Sequence, residues 1–392
     1  MAGPLLAALE AKDGELLRLS LAKVLKVEIL GHVRLEQSAG QRFTGGSSTP
    51  VWKITFSAKR GEQEKETRLV AKWVKPVTDL RRRSYANERQ FYLSAAGQIR
   101  KFCRVPHMLL CEEGPSSSMC FLFDDLTVDF PLHPETLDVD AARGSLRWLA
   151  HFHACFWEAD SAGGSFPSGM LSSSDYWGLS KGDNEERLKG VAGALLASSK
   201  VLKAQGVWEM VKSMGLRLAT AARPLDSALR TLKGFVRNRT LLHGDFKAAN
   251  FFLRKSPGNE SEYEAAVVDF EFAGPGLVAV DLANFLFPDL RMNLLSVESD
   301  LIRFYHSALT ERLEELGSGG DFPLWLLLAQ FAVARCDYMR YMLGKGWTAC
   351  SDGDVRLIEA VHQDLSRLDG GQILTSEGYE VAIAASFMEA TR

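Results

Sequence analysis

The feature that most constrains this chain is a change of hydrophobic period partway along it, followed by one brief reversal. Segments 51–58 (VWKITFSA) and 67–75 (TRLVAKWVK) are rich in β-branched and aromatic residues, and the polar stretch 61–66 (GEQEKE) between them is expected to connect a hairpin. MLLCEE (108–113) and MCFLFDDL (119–126) predict two more strands around a Gly-Pro-Ser turn, with a helix between Val77 and Gly97 and another over 5–28. From about residue 140 the period becomes helical. LRWLAHFHACFW (146–157), 189–215, 225–238, 296–317, 324–344 and 354–369 are helix candidates. The reversal is TLLHGDFKAANFFL followed by EAAVVDFEFAG, a strand-like island over 240–274 that carries most of the chain's conspicuous polar motifs.

That order predicts an α+β chain of two domain-sized units. Residues 1–123 would form a small β-rich N-terminal lobe with an N-terminal helix, an antiparallel sheet and one internal helix. Residues 124–392 would form a larger helical C-terminal lobe, with a cleft between the lobes and a hinge at Phe123, Asp124 and Leu126. A length of 392 residues suits such a division.

Bulk properties narrow the partners. A net charge of −3 argues against a nucleic-acid binder, which would carry a basic excess. The six cysteines are scattered, with no Cys-x-x-Cys pair, which fits reduced thiols rather than a disulfide framework or a zinc site. No apolar run approaches the ~20 residues a membrane helix needs, and the N-terminal stretch shows no basic-then-apolar leader pattern, so the expected location is the cytoplasm.

Within the island, His243-Gly244-Asp245-Phe246-Lys247-Ala248-Ala249-Asn250 places an asparagine five positions after an aspartate, and Asp269 ends the apolar strand AAVVDF. Phosphoryl transfer asks little covalent help of a protein. It asks for positioning and for cations against developing phosphate charge. One carboxylate, Asp245, can orient an acceptor hydroxyl, while the amide oxygen of Asn250 and the carboxylate of Asp269 supply the hard oxygen ligands that Mg²⁺ prefers. Upstream, RFTGGSSTPVWK (42–53) precedes a strand as a phosphate-covering turn should, and Gly45, Gly46 and Ser47 can offer backbone N–H groups to phosphate oxygens.

HGDFKAAN followed by VVDFEFAG resembles the catalytic segment of the aminoglycoside phosphotransferase, choline kinase and ecdysteroid-kinase-like superfamily, which shares its fold with protein kinases. Gly244 stands where protein kinases have an arginine, and Glu271 stands where they have the glycine of Asp-Phe-Gly. WLAHFHACFWE (148–158) and the FLFDDL segment share the resemblance, which spans roughly 40–345. It implies a protein-kinase-like two-lobed fold and transfer of the γ-phosphoryl group of Mg-ATP to a hydroxyl of a small organic molecule. It further implies that Asp245 is the catalytic aspartate, that Asn250 and Asp269 are metal ligands, that Lys72 in LVAKW holds the α and β phosphates, and that Glu88 in YANERQFY is its ion-pair partner. Lys247, two positions after Asp245, corresponds to a lysine that reaches the γ-phosphate in protein-serine kinases; Asp281 corresponds to an aspartate that braces the catalytic loop.

Two alternatives stay open: a catalytically inactive nucleotide-binding relative, and a protein kinase. Against the second, Asp281 follows Asp269 by only twelve positions (281 − 269), with no Ala-Pro-Glu signature. For the acceptor, Asp337 with Tyr338, Tyr341 and Trp347 on the late helix would suit an ammonium group, which makes a cationic or amphipathic alcohol the expected class.

Overall fold

A computed structural model of the chain describes residues 3–38, 51–61, 63–134, 136–159, 165–231, 238–289, 295–318 and 321–388. Its contacts divide the chain into two compact units. One comprises residues 1–134, 249–255 and 264–271; the other comprises 135–248, 256–263 and 272–392.

The first unit opens with two helices, α1 (Pro4–Ala11) and α2 (Gly14–Leu25), where the apolar pattern predicted one. Lys12 takes a left-handed conformation (φ 53°) and Asp13 accepts hydrogen bonds from the N–H groups of Glu15 and Leu16. An αL residue closing one helix followed by an aspartate N-cap opening the next is enough to split a continuous apolar stripe. Strand β1 (Glu28–Ser38) then follows, absent from the sequence reading. Its alternation is disguised by an irregularity between Leu30 and Arg34 that includes Gly31 at φ 67°.

Strands β2 (Val51–Arg60) and β3 (Gln63–Val74) form a long antiparallel hairpin, so the polar 61–66 stretch is mostly strand with a tight turn at Gly61. After helices α3 (Asp79–Ser94) and α4 (Ala96–Ile99) come β4 (Met108–Glu113) and β5 (Met119–Asp124). The antiparallel sheet has the order β1-β2-β3-β5-β4. Leu5, Leu6, Leu9, Leu17 and Leu21 of the N-terminal helices share one buried core with Ile29, Trp52, Ile54, Phe56 and Leu69 of the sheet. Helix α1 lacks a capping side chain of its own. Glu112 of β4 substitutes, accepting from the N–H groups of Leu5 (3.3 Å) and Leu6 (2.9 Å).

The second unit is largely helical. The first helix there is α5 (Val139–Ala154), and the span predicted as one helix over 189–215 is instead α6 (Asn184–Val191), a 3-10 turn, α7 (Ser199–Ala204), α8 (Trp208–Val211) and the start of α9 (Met214–Asp226). Gly206 at φ 74° ends α7, a conformation open to glycine and closed to a continuing helix. The candidate helix 225–238 reduces to the end of α9 and a π turn over Ser227–Thr231, and residues 232–237 lie outside the described ones.

The strand island resolves into β6 (Arg239–Leu242), β7 (Phe251–Ser256), β8 (Asn259–Val267) and β9 (Gly274–Leu277), paired β6 with β9 and β7 with β8. Helices α10 (Ala279–Asp289), α11 (Glu298–Glu315), α12 (Leu324–Gly344), α13 (Asp352–Asp369) and α14 (Ser376–Met388) complete the chain. α12 packs against α6, α9, α10 and α13. Among the described residues no helix is long and apolar enough to cross a membrane.

The Glu112 cap gives a direct test of how the N-terminal helices are held. Glu112→Ala should lower stability by about 1 kcal/mol, the usual effect of losing an N-cap acceptor, measured by urea denaturation.

Candidate functional site

In the first unit, one cation gathers three separate stretches of chain. β3 carries Lys72 on a ladder position between Val51 of β2 and Phe121 of β5, which fixes its backbone on both sides. Its Nζ lies 2.7 Å from Glu88 Oε2 on α3 and 2.6 Å from Asp269 Oδ1. Burial alone would lower the Lys72 ammonium, but Asp269, Glu88 and Glu271 outweigh it and hold its pKa well above the usual lysine range. Glu88 is 1% exposed, and burial lifts its carboxyl to about 7 against the pull of Lys72. Two cations, Lys72 and Arg81, thus face three carboxylates, Glu88, Asp269 and Glu271, and the cluster carries an excess of one negative charge when all are ionised.

The Asp269 segment is tied down residue by residue. Asp269 has φ 70°, a left-handed conformation that L-residues other than Gly, Asn and Asp seldom adopt. Phe270 stacks on Phe91 of α3 with ring centroids 3.8 Å apart and planes 6° from parallel. Asn87 Nδ2 donates to the carbonyl of Glu271 at 3.2 Å. Asn250, fully buried, accepts from the N–H of Val268 through its own carbonyl at 2.9 Å, which sets it beside the strand leading to Asp269. Asn250 and Asp269 fit a Mg²⁺ ion by their chemistry. Both offer hard oxygen donors in a cluster with surplus negative charge, and Mg²⁺ is commonly held by one or two protein oxygens, with substrate phosphates and water completing the shell. Among the described residues no group of three or more His, Cys, Asp or Glu is arranged to hold a metal.

The residues expected at a hinge also fall in this unit. Phe123 is buried against Phe121 and Tyr92, and Leu126 is buried at the head of a 3-10 turn. The side chain of Asp124 is engaged elsewhere, accepting from Arg104 Nη2 at 2.5 Å and from the N–H of His107 at 2.6 Å. Gly45, Gly46 and Ser47 lie outside the described residues.

In the second unit the loop 243–247 is organised by Asp281 at the start of α10. Asp281 Oδ2 accepts from the N–H of His243 at 2.7 Å, and Oδ1 accepts from the N–H of Gly244 at 2.8 Å. Oδ2 also meets His153 Nε2 at 3.1 Å, while His153 Nδ1 lies 2.6 Å from Tyr305 Oη. Burial lowers the His153 pKa below its ordinary value, so the ring is neutral. Its proton then sits on Nε2 toward Asp281, and Nδ1 accepts from Tyr305. His153 thus belongs to the brace, which periodicity alone could not reveal. Gly244 has φ 82°, and a Cβ there would stand 2.2 Å from the carbonyl oxygen of Phe272.

This frame presents Asp245, 5% exposed. Lys247 Nζ is 2.8 Å from Asp245 Oδ2, and Asn284 Nδ2 approaches Oδ1 at 3.5 Å. Asn284 Oδ1 is in turn 3.3 Å from the hydroxyl of Tyr176, which also meets Tyr338 Oη at 3.1 Å. Burial keeps the Tyr176 phenol well above its usual pKa, so it remains a neutral donor. Asn284 and Tyr176 were not singled out in the sequence. Asn284 lies three residues beyond Asp281, one turn along α10, and that spacing is the only signal that could have found it.

The cationic pocket expected at Asp337 is not what the structure holds. Asp337 is fully buried, 2.8 Å from Arg230 and 2.7 Å from Arg340. Burial would raise its carboxyl, and the two guanidinium groups overcome this and hold it below the usual range. A carboxylate already matched by two arginines has no charge left for an ammonium ligand, so Asp337 serves the packing of α12.

The sequence profile of the Ecdysteroid kinase-like family matches residues 47–318. Among solved structures, a microcompartment-associated aminopropanol kinase is 13% identical, with 87% of this chain and 94% of that one covered at a TM-score of 0.50. An amicoumacin kinase in complex with AMP-PNP and Ca²⁺ is 12% identical, with 96% and 99% covered at a TM-score of 0.48. No curated protein matches the chain. At 13% identity the likeness to the aminopropanol kinase is one of fold alone.

Two outcomes follow from the geometry. Gly244→Ala should destabilise the protein by about 3 kcal/mol, because the new Cβ meets a backbone oxygen and the residue must keep a left-handed φ; thermal denaturation reads this. Glu88 carries a pH signature. A carboxyl lifted from 4.5 to about 7 binds its proton more tightly folded than unfolded, so its contribution is full below pH 4.5 and is lost as pH rises through 7. Glu88→Gln should therefore flatten part of the decline in urea midpoint between pH 5 and pH 7.5.

Proposed function

The chain belongs to the Ecdysteroid kinase-like family, and on that footing we propose that it transfers the γ-phosphoryl group of Mg-ATP to a hydroxyl of a small organic molecule. The observation that carries this reading is the Lys72 ammonium held between Glu88 and Asp269. A strand lysine bonded both to a helix glutamate and to an aspartate that follows an apolar strand is the arrangement phosphoryl transfer uses to hold a nucleotide triphosphate and its metal.

In this reading Lys72 holds the α and β phosphates, Glu88 orients Lys72, and the adenine lies at Phe123, Asp124 and Leu126. Asn250 and Asp269 hold Mg²⁺, which when bound neutralises charge on the β and γ phosphates. The carboxylate of Asp245 accepts a hydrogen bond from the acceptor hydroxyl. As the new O–P bond forms and the bond to the ADP oxygen breaks, the hydroxyl proton passes to Asp245 late in the transfer. Lys247 matches the charge of Asp245 in the resting protein. In this reading its ammonium would turn toward the phosphoryl group as negative charge develops there. The short segment between Asp269 and Asp281 supports a small acceptor over a protein one.

Incubating the protein with labelled ATP, Mg²⁺ and a metabolite extract should yield one labelled small-molecule product. The absence of both Mg-ATP binding and any labelled product would overturn the assignment. Asp245→Asn should cut turnover by more than tenfold, a loss above about 1.4 kcal/mol of barrier stabilisation, and leave Mg-ATP affinity within a few-fold. Asp269→Ala should weaken Mg-ATP binding as well as rate, measured by calorimetry across a Mg²⁺ series.

A further inference from the structure

Glu271 occupies the place where protein kinases keep the glycine of Asp-Phe-Gly, and the transfer mechanism gives it no task. The structure shows where its charge goes. The side chain is 7% exposed, and both carboxylate oxygens are engaged by α3: Oε1 by Arg81 Nη1 at 2.6 Å and Oε2 by the hydroxyl of Ser84 at 2.9 Å. Asn87 adds its contact to the Glu271 carbonyl, Glu88 reaches Lys72, and Phe91 stacks on Phe270. Positions 81, 84, 87, 88 and 91 recur every three or four residues, so they form one face of a single helix. That face is matched, contact by contact, to the segment 269–271 and to the lysine bonded to it.

The segment needs such a clamp. Asp269 is held at a left-handed φ, which aspartate tolerates better than most L-residues but which its surroundings must still favour over the right-handed region. A glycine at 271 could supply neither a charge for Arg81 nor an acceptor for Ser84.

We propose that Glu271 is a positioning residue which, gripped by Arg81 and Ser84, locks α3 to the Asp269 segment and so fixes the metal-facing carboxylate in place. Glu271 acts through Asp269 and does not itself ligate the metal, because its oxygens are turned to α3. This inference rests on the proposed function, which supplies the metal that Asp269 is positioned to meet.

The test compares Glu271→Gln, Arg81→Met, the double variant and Arg81→Lys by two measurements: the Mg²⁺ concentration that half-saturates ADP binding, and the urea midpoint. Loss of an outer-shell partner typically weakens metal affinity by about 10–100-fold, so Glu271→Gln and Arg81→Met should each raise the Mg²⁺ requirement by about tenfold. The double variant should be no worse than either single, and Arg81→Lys should recover part of the effect, because one ion pair is removed in each case. A raised Mg²⁺ requirement in Glu271→Gln with none in Arg81→Met would make Glu271 a metal ligand and overturn the proposal. Shifted urea midpoints with unchanged Mg²⁺ dependence in both would reduce the clamp to packing and overturn it too. If the wild-type chain binds ADP without any Mg²⁺ dependence, or does not bind it, the proposed function fails and this inference falls with it; the earlier outcomes leave that function standing.

Discussion

The first unit depends on one ammonium group. Lys72 is bonded to Glu88 at 2.7 Å and to Asp269 at 2.6 Å, with Glu271 also close enough to raise its pKa. A buried lysine without partners would lose its proton, and buried carboxylates without a cation would gain theirs. Lys72 keeps its charge because the carboxylates surround it, while burial lifts the Glu88 carboxyl to about 7 even so. The consequence is structural before it is chemical: a strand, a helix and the segment after β8 must all arrive at one point. The sheet fixes Lys72 from both sides, so α3 and Asp269 are positioned with respect to the sheet. Three carboxylates face two cations there, and the carboxyl with least access to water, Glu88, is the one whose proton is held most tightly.

The second unit uses a buried anion in the same way. Asp281 gathers two consecutive backbone N–H groups of the loop and the imidazole of His153, so the turn before Asp245 is set by a carboxylate with no exposure to water. Removed from solvent, such bonds strengthen one another, and each unmade bond would be expensive. The loop therefore has a single geometry in which Gly244 occupies a left-handed position pressed against the Phe272 carbonyl. The arginine that protein kinases carry at this position would be excluded by that contact.

How much of this was legible in the sequence follows from the range over which each signal acts. The β-then-α order, Lys72 on a strand, Glu88 on a helix and Asp269 at the end of an apolar strand were all readable, because local periodicity reports local structure. Strand β1 was not, since its bulge near Gly31 breaks the two-residue alternation. The break at Lys12 and Asp13 and the division of 189–215 were missed for a related reason: an apolar stripe can continue through residues whose backbone leaves the helix. Asp337 was misread because its partners are remote in sequence. Arg230 stands 107 residues away, and Arg340, one turn further along the helix, does not by itself reveal a fully matched carboxylate. The Asn284–Tyr176 contact, spanning 108 residues, is beyond any local pattern.

The region 168–184 (SGMLSSSDYWGLSKGDN) shows what replaces a hydrophobic core where composition cannot supply one. It is rich in Ser and Gly, has little regular secondary structure, and yet carries Tyr176 to within 3.3 Å of Asn284. Arg230 holds it. The guanidinium, 5% exposed, bonds Asp175 at 2.8 Å, Asp226 at 2.9 Å and Asp337 at 2.8 Å, and Asp175 in turn caps the N–H groups of Trp177 and Gly178. A forked cation among three carboxylates constrains direction as well as distance, which a greasy contact would not. Dense directional bonding fixes the backbone without asking much of the side chains between the anchors. Those side chains are then open to change while Asp175 and Arg230 keep the path of the chain. An irregular segment anchored by ion pairs thus carries an aromatic hydroxyl to Asn284, the side chain that approaches Asp245, with as little freedom as a regular element would allow.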